Sequence, residues 1–261
     1  MGGNVSAQAD GRAQREFRLA MTTSIKGVFF DLGGTLFSYR NMGRSTGPAL
    51  LEAAARMGIT GDPRSIGRAY GIASREVNGI YAERDFYLHR DLFRDTFLRF
   101  VAQMEGSFDE ETYAWFRGRQ HELVLTGLEL KPDCMETLAH LKSEGLYLSI
   151  VSNIDDDMLD PLVERESLHD YLHHWTSSES AESCKPHRRF FEISLEKSGL
   201  APGEVLFVGD SPEHDVQGAY DVGMNTVLIR EEGLDPPLQV GRETVEPDYT
   251  ITSLAEIRNL V

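Results

Sequence analysis

FFDLGGTLF, residues 29 to 37, drives an apolar run into Asp31 and then breaks on Gly33, Gly34 and Thr35. Further on, IVSN ends at Ser152 and Asn153, VGDSPEHD supplies Asp210, and SCKPH sets Lys185 before Pro186. A carboxylate at the mouth of a strand can attack phosphorus and form an aspartyl-phosphate. Neighbouring acids can hold a hard divalent cation, which prefers oxygen ligands. Such a cation and Lys185 would offset the repulsion between Asp31 and a phosphoryl group. The two glycines let backbone amides approach phosphoryl oxygens closely. Each signal alone has a plainer reading: a buried Asp after a strand can cap, a strand-end Ser usually bonds backbone, and Lys-Pro is a common helix entrance. Their order and spacing together make the site reading specific.

The elements that must position these groups follow from periodicity. KGVFFD, LYLSIVSN, EVLFVGD, NTVLI and YTI read as short buried strands. Helical patterns over 133–144, 187–199, 213–222 and 253–260 separate them, and Pro186 is expected to help start the second. Alternating strands and helices imply a parallel sheet with helices on both faces. Ligands in such sheets bind beyond the carboxyl ends of the strands, where Asp31, Ser152, Asn153 and Asp210 fall. Asp155, Asp156 and Asp157 open a further helix, and capping its exposed amides is preferred for them over a metal site. From 45 to 122 the pattern is helical throughout: PALLEAAARMG, SIGRAYGIASREVNGIYAE, DFYLHRDLFRDTFLRFVAQM and DEETYAWFRGRQHELV form four amphipathic segments, read as an inserted helical domain.

Composition narrows the partners. A net charge of −16 argues against a broad basic surface for nucleic acid or anionic membrane, but not against a small anionic substrate. No stretch approaches eighteen consecutive apolar residues, so no membrane span is expected. Cys134 and Cys184 are far apart and have no metal-type spacing, so inert packing in a reducing, cytoplasmic interior is expected. The first twenty or so residues read as a flexible tail without a secretory core. MGGNVS matches the N-myristoylation pattern, but an extension ahead of a natural start near Met21 is the preferred reading.

DLGGTLF, IVSN, CKP and VGDSPEHDVQGAYDVGM, in that order, resemble the four successive motifs of the haloacid dehalogenase-like (HAD) hydrolase superfamily, and the helical insertion resembles its cap. The resemblance covers roughly residues 25 to 261. It implies an α/β fold: a Rossmann-like core over 25–40 and 125–261, a helical cap over 41–124, and a tail over 1–24. It further implies Asp31 as nucleophile and metal ligand, with the Gly33 carbonyl, Asp210 and Asp215 completing a Mg²⁺ site. Ser152 and Lys185 would hold phosphoryl oxygens, with Gly33, Gly34, Thr35 and Asn153 around the substrate. Tyr87, His89, Arg90 and Arg94 in one cap helix, with Arg40 and Arg44 nearby, are candidates for choosing it, and Arg90 is the one expected to touch it.

Phosphatases of that superfamily carry an acid two residues after the nucleophile, where this chain has Gly33. General acid–base help is worth ~10²–10⁴ in rate, or roughly 3 to 5 kcal/mol of barrier. The resemblance therefore implies a magnesium-dependent phosphatase of a small phosphorylated metabolite, slow or unusually selective, in which Gly33→Asp would raise activity. The alternatives are a weakened relative that binds a ligand or partner, and a metal-independent dehalogenase attacking carbon. Dehalogenases replace the GD of the last motif, which this chain keeps. A phosphonatase-type Schiff base would need a cap lysine, and none lies between 27 and 130.

Overall fold

The computed structural model describes residues 24–261. The tail with its myristoylation and start-site readings lies outside them, apart from Ser24.

Strand β1 (Gly27–Phe30) is buried at every residue. Such an uninterrupted apolar run is what a strand covered on both faces requires. A two-residue strand β2 (Phe37–Ser38) follows, then helices α1 (Met42–Arg56), α2 (Pro63–Tyr81), α3 (His89–Gln103) and α4 (Glu110–Gly127), then β3 (Glu129–Leu130). Strands β2 and β3 pair antiparallel, so the chain leaves and re-enters the sheet region at one point. The rest alternates: α5 (Cys134–Ser143), β4 (Tyr147–Ser152), α6 (Asp156–Arg165), β5 (His174–Ser177), α7 (Ser178–Ala181), α8 (Arg188–Ser198), β6 (Val205–Gly209), α9 (Gln217–Val222), β7 (Asn225–Ile229) and β8 (Tyr249–Ile251).

The main sheet runs β5-β4-β1-β6-β7-β8, with every pair parallel. Side chains alternate between its faces. Val28, Phe30, Ile150 and Val208 join α5 and α6 in one apolar cluster, while Phe29, Val151 and Phe207 join α8 and α9 in another. The α/β expectation therefore holds. Sequence reading missed β5, because HWTS at a half-exposed edge carries no apolar run. The expected helix 213–222 is a π-helical turn (Pro212–Val216) leading into α9, and 253–260 is a 3₁₀ segment (Leu254–Asn259). Pro186 lies ahead of the N-cap His187 and so outside the first turn of α8.

Helices α1 to α4 pack around their own cluster of Ala53, Met57, Phe97, Phe100 and Phe116, with Phe97 and Phe116 ring centroids 4.7 Å apart. Two of these helices are capped locally: Asp62 accepts from the amides of Arg64 and Ser65, and Asp109 from Thr112. Helix α3 has Leu88 at its N-cap, which offers no acceptor. Its first amides, of His89 and Arg90, instead donate to Asp155 at 2.7 and 2.8 Å. This corrects the capping expectation for the acidic triplet. Asp155 occupies the N-cap position of α6 but makes no capping bond there; Asp156 accepts from Ser180, and Asp157 lies 3.7 Å from Arg117. The α6 amide of Asp156 is satisfied by Glu179 at 2.9 Å. Orphan amides take the nearest acceptor the tertiary fold supplies.

Candidate active site

Register builds the site. Phe30 pairs with Ile150 on one side and Val208 on the other, so Ser152 and Asp210 each lie one residue beyond the level of Asp31. Asp31 is 8% exposed and Lys185 only 3%, at the carboxyl edge of the sheet. Asp31 Oδ1 accepts from Ser152 Oγ at 3.0 Å and from Lys185 Nζ at 2.6 Å. Lys185 Nζ also donates to Asp215 Oδ1 at 2.6 Å, and the Ser211 amide holds Asp215 Oδ2 at 3.0 Å. Both side-chain bonds to Asp31 fall on Oδ1, so Oδ2 has no hydrogen-bond partner among the described residues.

Asn153 is brought to the same rim, but both ends of its amide engage the Lys185 backbone: Nδ2 donates to the carbonyl at 2.9 Å, and Oδ1 accepts from the amide at 2.7 Å. It therefore positions the lysine. The Lys185–Pro186 peptide bond is cis.

Asp31, Asp210 and Asp215 can each offer a carboxylate oxygen within 4.8 Å of the others. Three acids share one ammonium here, and an all-oxygen donor set suits a hard divalent cation. The Asp210 carboxylate has no hydrogen-bond partner among the described residues, and burial, then Asp31 and Asp215, pushes its pKa up to about 8. Burial also raises Asp31, against the pull of Lys185. Burial works against the Lys185 ammonium as well, but Asp215 and Asp31 outweigh it and hold its pKa above the usual lysine range. The ammonium is satisfied by two partners, while the carboxylates compete for it. The donor set of Asp31, Asp210 and Asp215 fits a hard divalent cation such as Mg²⁺.

The glycine turn behaves differently from expectation at one point. Gly34 has φ +77°, and a Cβ there would fall 1.9 Å from Asp210 Oδ2, so glycine is required both for its conformation and for the approach of Asp210. Its amide, however, donates to the Phe37 carbonyl at 2.7 Å and is engaged in the turn. Gly33 has ordinary φ, but a Cβ there would lie 1.9 Å from Tyr39 Oη. The phenol stands where a side chain at 33 would begin. Burial, then Asp210 and Asp31, pushes the Tyr39 pKa well above its usual value, so the hydroxyl stays protonated. Thr35 is fully buried, and its Oγ1 has no hydrogen-bond partner among the described residues.

Two spaces meet at this rim. A polar pocket of about 60 Å³ is lined by Asp31, Lys185, Asp210 and His214. A larger cavity of about 440 Å³ runs from Gly33, Tyr39 and Ser152 to the helices, where His89, Phe93 and Val124 line it. Of the cap cluster read from sequence, His89 reaches the cavity. Arg90 does not: it donates to Glu179 at 2.7 Å and lies 3.6 Å from Asp155, which corrects its assignment to substrate. Arg94 pairs with Glu110, Arg40 with Glu231, and Tyr87 packs against Cys184. Both cysteines are buried and free; burial raises their thiols to about 12 for Cys134 and about 11 for Cys184, which suits inert packing.

Tyr39, Lys131 and His214 were missed in the sequence. Lys131 is buried 3.8 Å from Glu231, with its pKa lowered by burial despite Glu231 and Asp210. Its LKPD context repeats the Lys-Pro of CKPH, a signal that could have found it. Burial and then Lys185 lower His214 to about 4, so a neutral imidazole lines the polar pocket. His214 sits inside GDSPEHD and was passed over between two acids.

Residues 25–223 match the family model described as haloacid dehalogenase-like hydrolase. A ribulose-1,5-bisphosphate 5-phosphatase of Halopiger xanaduensis is 30% identical over 90% of this chain and 98% of its own length. An (S)-2-haloacid dehalogenase of a Pseudomonas species is 29% identical over 90% of this chain and 94% of its own. The fold is shared with a HAD phosphatase from Thermococcus onnurineus, at TM-score 0.64 and 24% identity, over 90% of this chain and 97% of that one.

Proposed function

The chain belongs to the haloacid dehalogenase-like hydrolase family, and from that premise we propose that it is a magnesium-dependent phosphatase of a small phosphorylated metabolite. The observation that carries the reading is the Asp31–Lys185–Asp215 arrangement, with Asp210 unpartnered beside it. In this reading residues 41–124 form the cap over a core of 25–40 and 125–261.

Lys185 and Ser152 hold Oδ1 of Asp31, and Oδ2, with no hydrogen-bond partner among the described residues, is the oxygen that attacks. Oδ2 forms a bond to phosphorus as the bond from phosphorus to the leaving oxygen breaks, and the alcohol leaves with a proton drawn from water. Water then attacks the aspartyl-phosphate, releasing inorganic phosphate and restoring Asp31. Magnesium, when bound by Asp31, Asp210, Asp215 and the Gly33 carbonyl, supplies charge neutralisation at the phosphoryl oxygens. Glycine at position 33 offers no carboxylate for either proton transfer, and a slow turnover follows.

The kinship with dehalogenases and the apolar walls of the cavity support a second reading, attack of Asp31 on carbon. Phosphate release from a panel of esters that requires magnesium and is lost in Asp31→Asn supports the first; metal-independent halide release from 2-haloacids would replace it with the second.

A further inference from the structure

The walls of the 440 Å³ cavity say what kind of molecule carries the phosphate. The volume falls within the ~300–1,000 Å³ usual for small-molecule sites, and the cavity shares Gly33, Tyr39, Ser152 and Asn153 with the polar pocket. A group attached to a phosphoryl held at Asp31 therefore enters it. Leu32, Met42, Phe93, Val124, Met158 and Leu162 present carbon to it. A second phosphate would meet Asp155, Asp157 and Asp235 there; the lining guanidinium, Arg117, already lies 3.7 Å from Asp157, and His121 is the other basic side chain besides His89.

His89 is 6% exposed, and neither ring nitrogen has a hydrogen-bond partner among the described residues. Nδ1 lies 3.8 Å from Asp155 Oδ1, beyond hydrogen-bond reach, because Asp155 is turned to the amides of His89 and Arg90. The ring sits between Tyr87 and Phe93, at centroid distances of 5.1 and 6.2 Å. A buried unsatisfied polar group is costly; both nitrogens are covered in this structure, and a turn of the ring into the cavity would let a ligand group pair with one and recover that cost.

We infer that the substrate is a monophosphate ester of an uncharged, largely apolar alcohol that carries one hydroxyl or carbonyl placed to bond His89. The inference rests on the phosphatase reading for its chemistry, but its binding part can be measured apart from turnover. At saturating magnesium, kcat/KM for straight-chain alkyl phosphates is expected to rise by about fourfold per methylene until the cavity is filled, and hexyl phosphate is expected to exceed ribulose 1,5-bisphosphate. His89→Leu should raise KM for 8-hydroxyoctyl phosphate by at least about fivefold more than it raises KM for octyl phosphate, while His89→Gln retains the preference. Equal losses on both esters would make His89 a packing residue and overturn its role.

Calorimetry of hexylphosphonate and ethylphosphonate with Asp31→Asn separates the two readings. Tighter binding of the hexyl compound, with no ester turned over by the unmutated protein, keeps the cavity inference and sinks the phosphatase. Efficient turnover that favours the bisphosphate does the reverse.

Discussion

At the rim of the sheet Lys185 donates to two carboxylates at 2.6 Å each, whereas on the helical wall the ring of His89, also buried, has no hydrogen-bond partner among the described residues. The rim gathers Asp31, Asp210 and Asp215 around one ammonium, so carboxylates outnumber the cation they share. The wall is largely carbon, and of its acids Asp155 is engaged by amides and Asp157 lies 3.7 Å from Arg117. The comparison separates tasks: charge is concentrated where a bond is to be broken, and shape with one unpaired polar group is left where a substrate is to be chosen. A loop joins the two, since the Leu238 carbonyl accepts from Asn78 of α2 at 2.7 Å and Gln239 donates to Ser211 at 2.9 Å.

The rim side of this contrast breaks most severely at its nucleophile. Asp31→Asn should lower phosphate release by at least about three orders of magnitude with the fold intact, because nucleophile loss removes the whole covalent route; single-turnover assays with melting curves check both halves. Lys185→Met leaves two buried carboxylates facing each other. Breaking a buried pair costs about 3–5 kcal/mol, so a steep fall in Tm is expected, and an unchanged Tm would mean the pair is not what holds the rim.

The rim's crowded carboxylates also have a pH signature. A carboxylate with its folded-state pKa raised to about 8 binds more protons folded than unfolded. Below about 6.5 the buried neutral imidazoles of His89, His174 and His214, lowered to about 3, about 4 and about 4, oppose this slope, so stability without metal should fall as pH rises from about 6.5 through about 8. Lys185 is raised from an already high value and contributes no slope in that window. Magnesium should raise Tm more at pH 8 than at pH 5, and a pH-independent increment would weaken the metal assignment.

Where rim and wall meet, Tyr39 decides the effect of restoring an acid. Gly33→Asp alone should give little gain, because its Cβ would strike the phenol, contrary to what the sequence by itself suggested. Gly33→Asp with Tyr39→Ala should gain about tenfold or more on alkyl phosphates, within what general acid–base help provides; the four kcat values of the cycle test it. The smallest effect belongs to the wall's fastening. Asp155→Ala removes the acceptor for two α3 amides and should cost about 1 kcal/mol, as cap losses do, read as a shift in urea midpoint.

The sheet was legible because β1, β4, β6 and β7 are continuous apolar runs. The site was legible because Asp31, Ser152, Lys185 and Asp210 stand at their ends or at a helix entrance. The edge strand β5 was not, since HWTS has no periodic signal. Arg90 was misread because a guanidinium on a helix has no visible partner in sequence, and Glu179, 89 residues away, takes it in the fold. Asp155 was misread for the same reason: an acid before a helix reads as its cap until another helix with an apolar N-cap is laid against it.

Sequence alone therefore determined the parallel sheet, the order of the polar groups along its edge and the glycine at position 33, because strand periodicity and turn chemistry are local. Tertiary structure alone decided that Tyr39 fills the space beside Gly33, that Asp155 serves α3, and that His89 has no ring partner among the described residues beside a largely apolar cavity. Those outcomes depend on which long-range neighbour reaches a donor or a void first, and no local pattern records that distance.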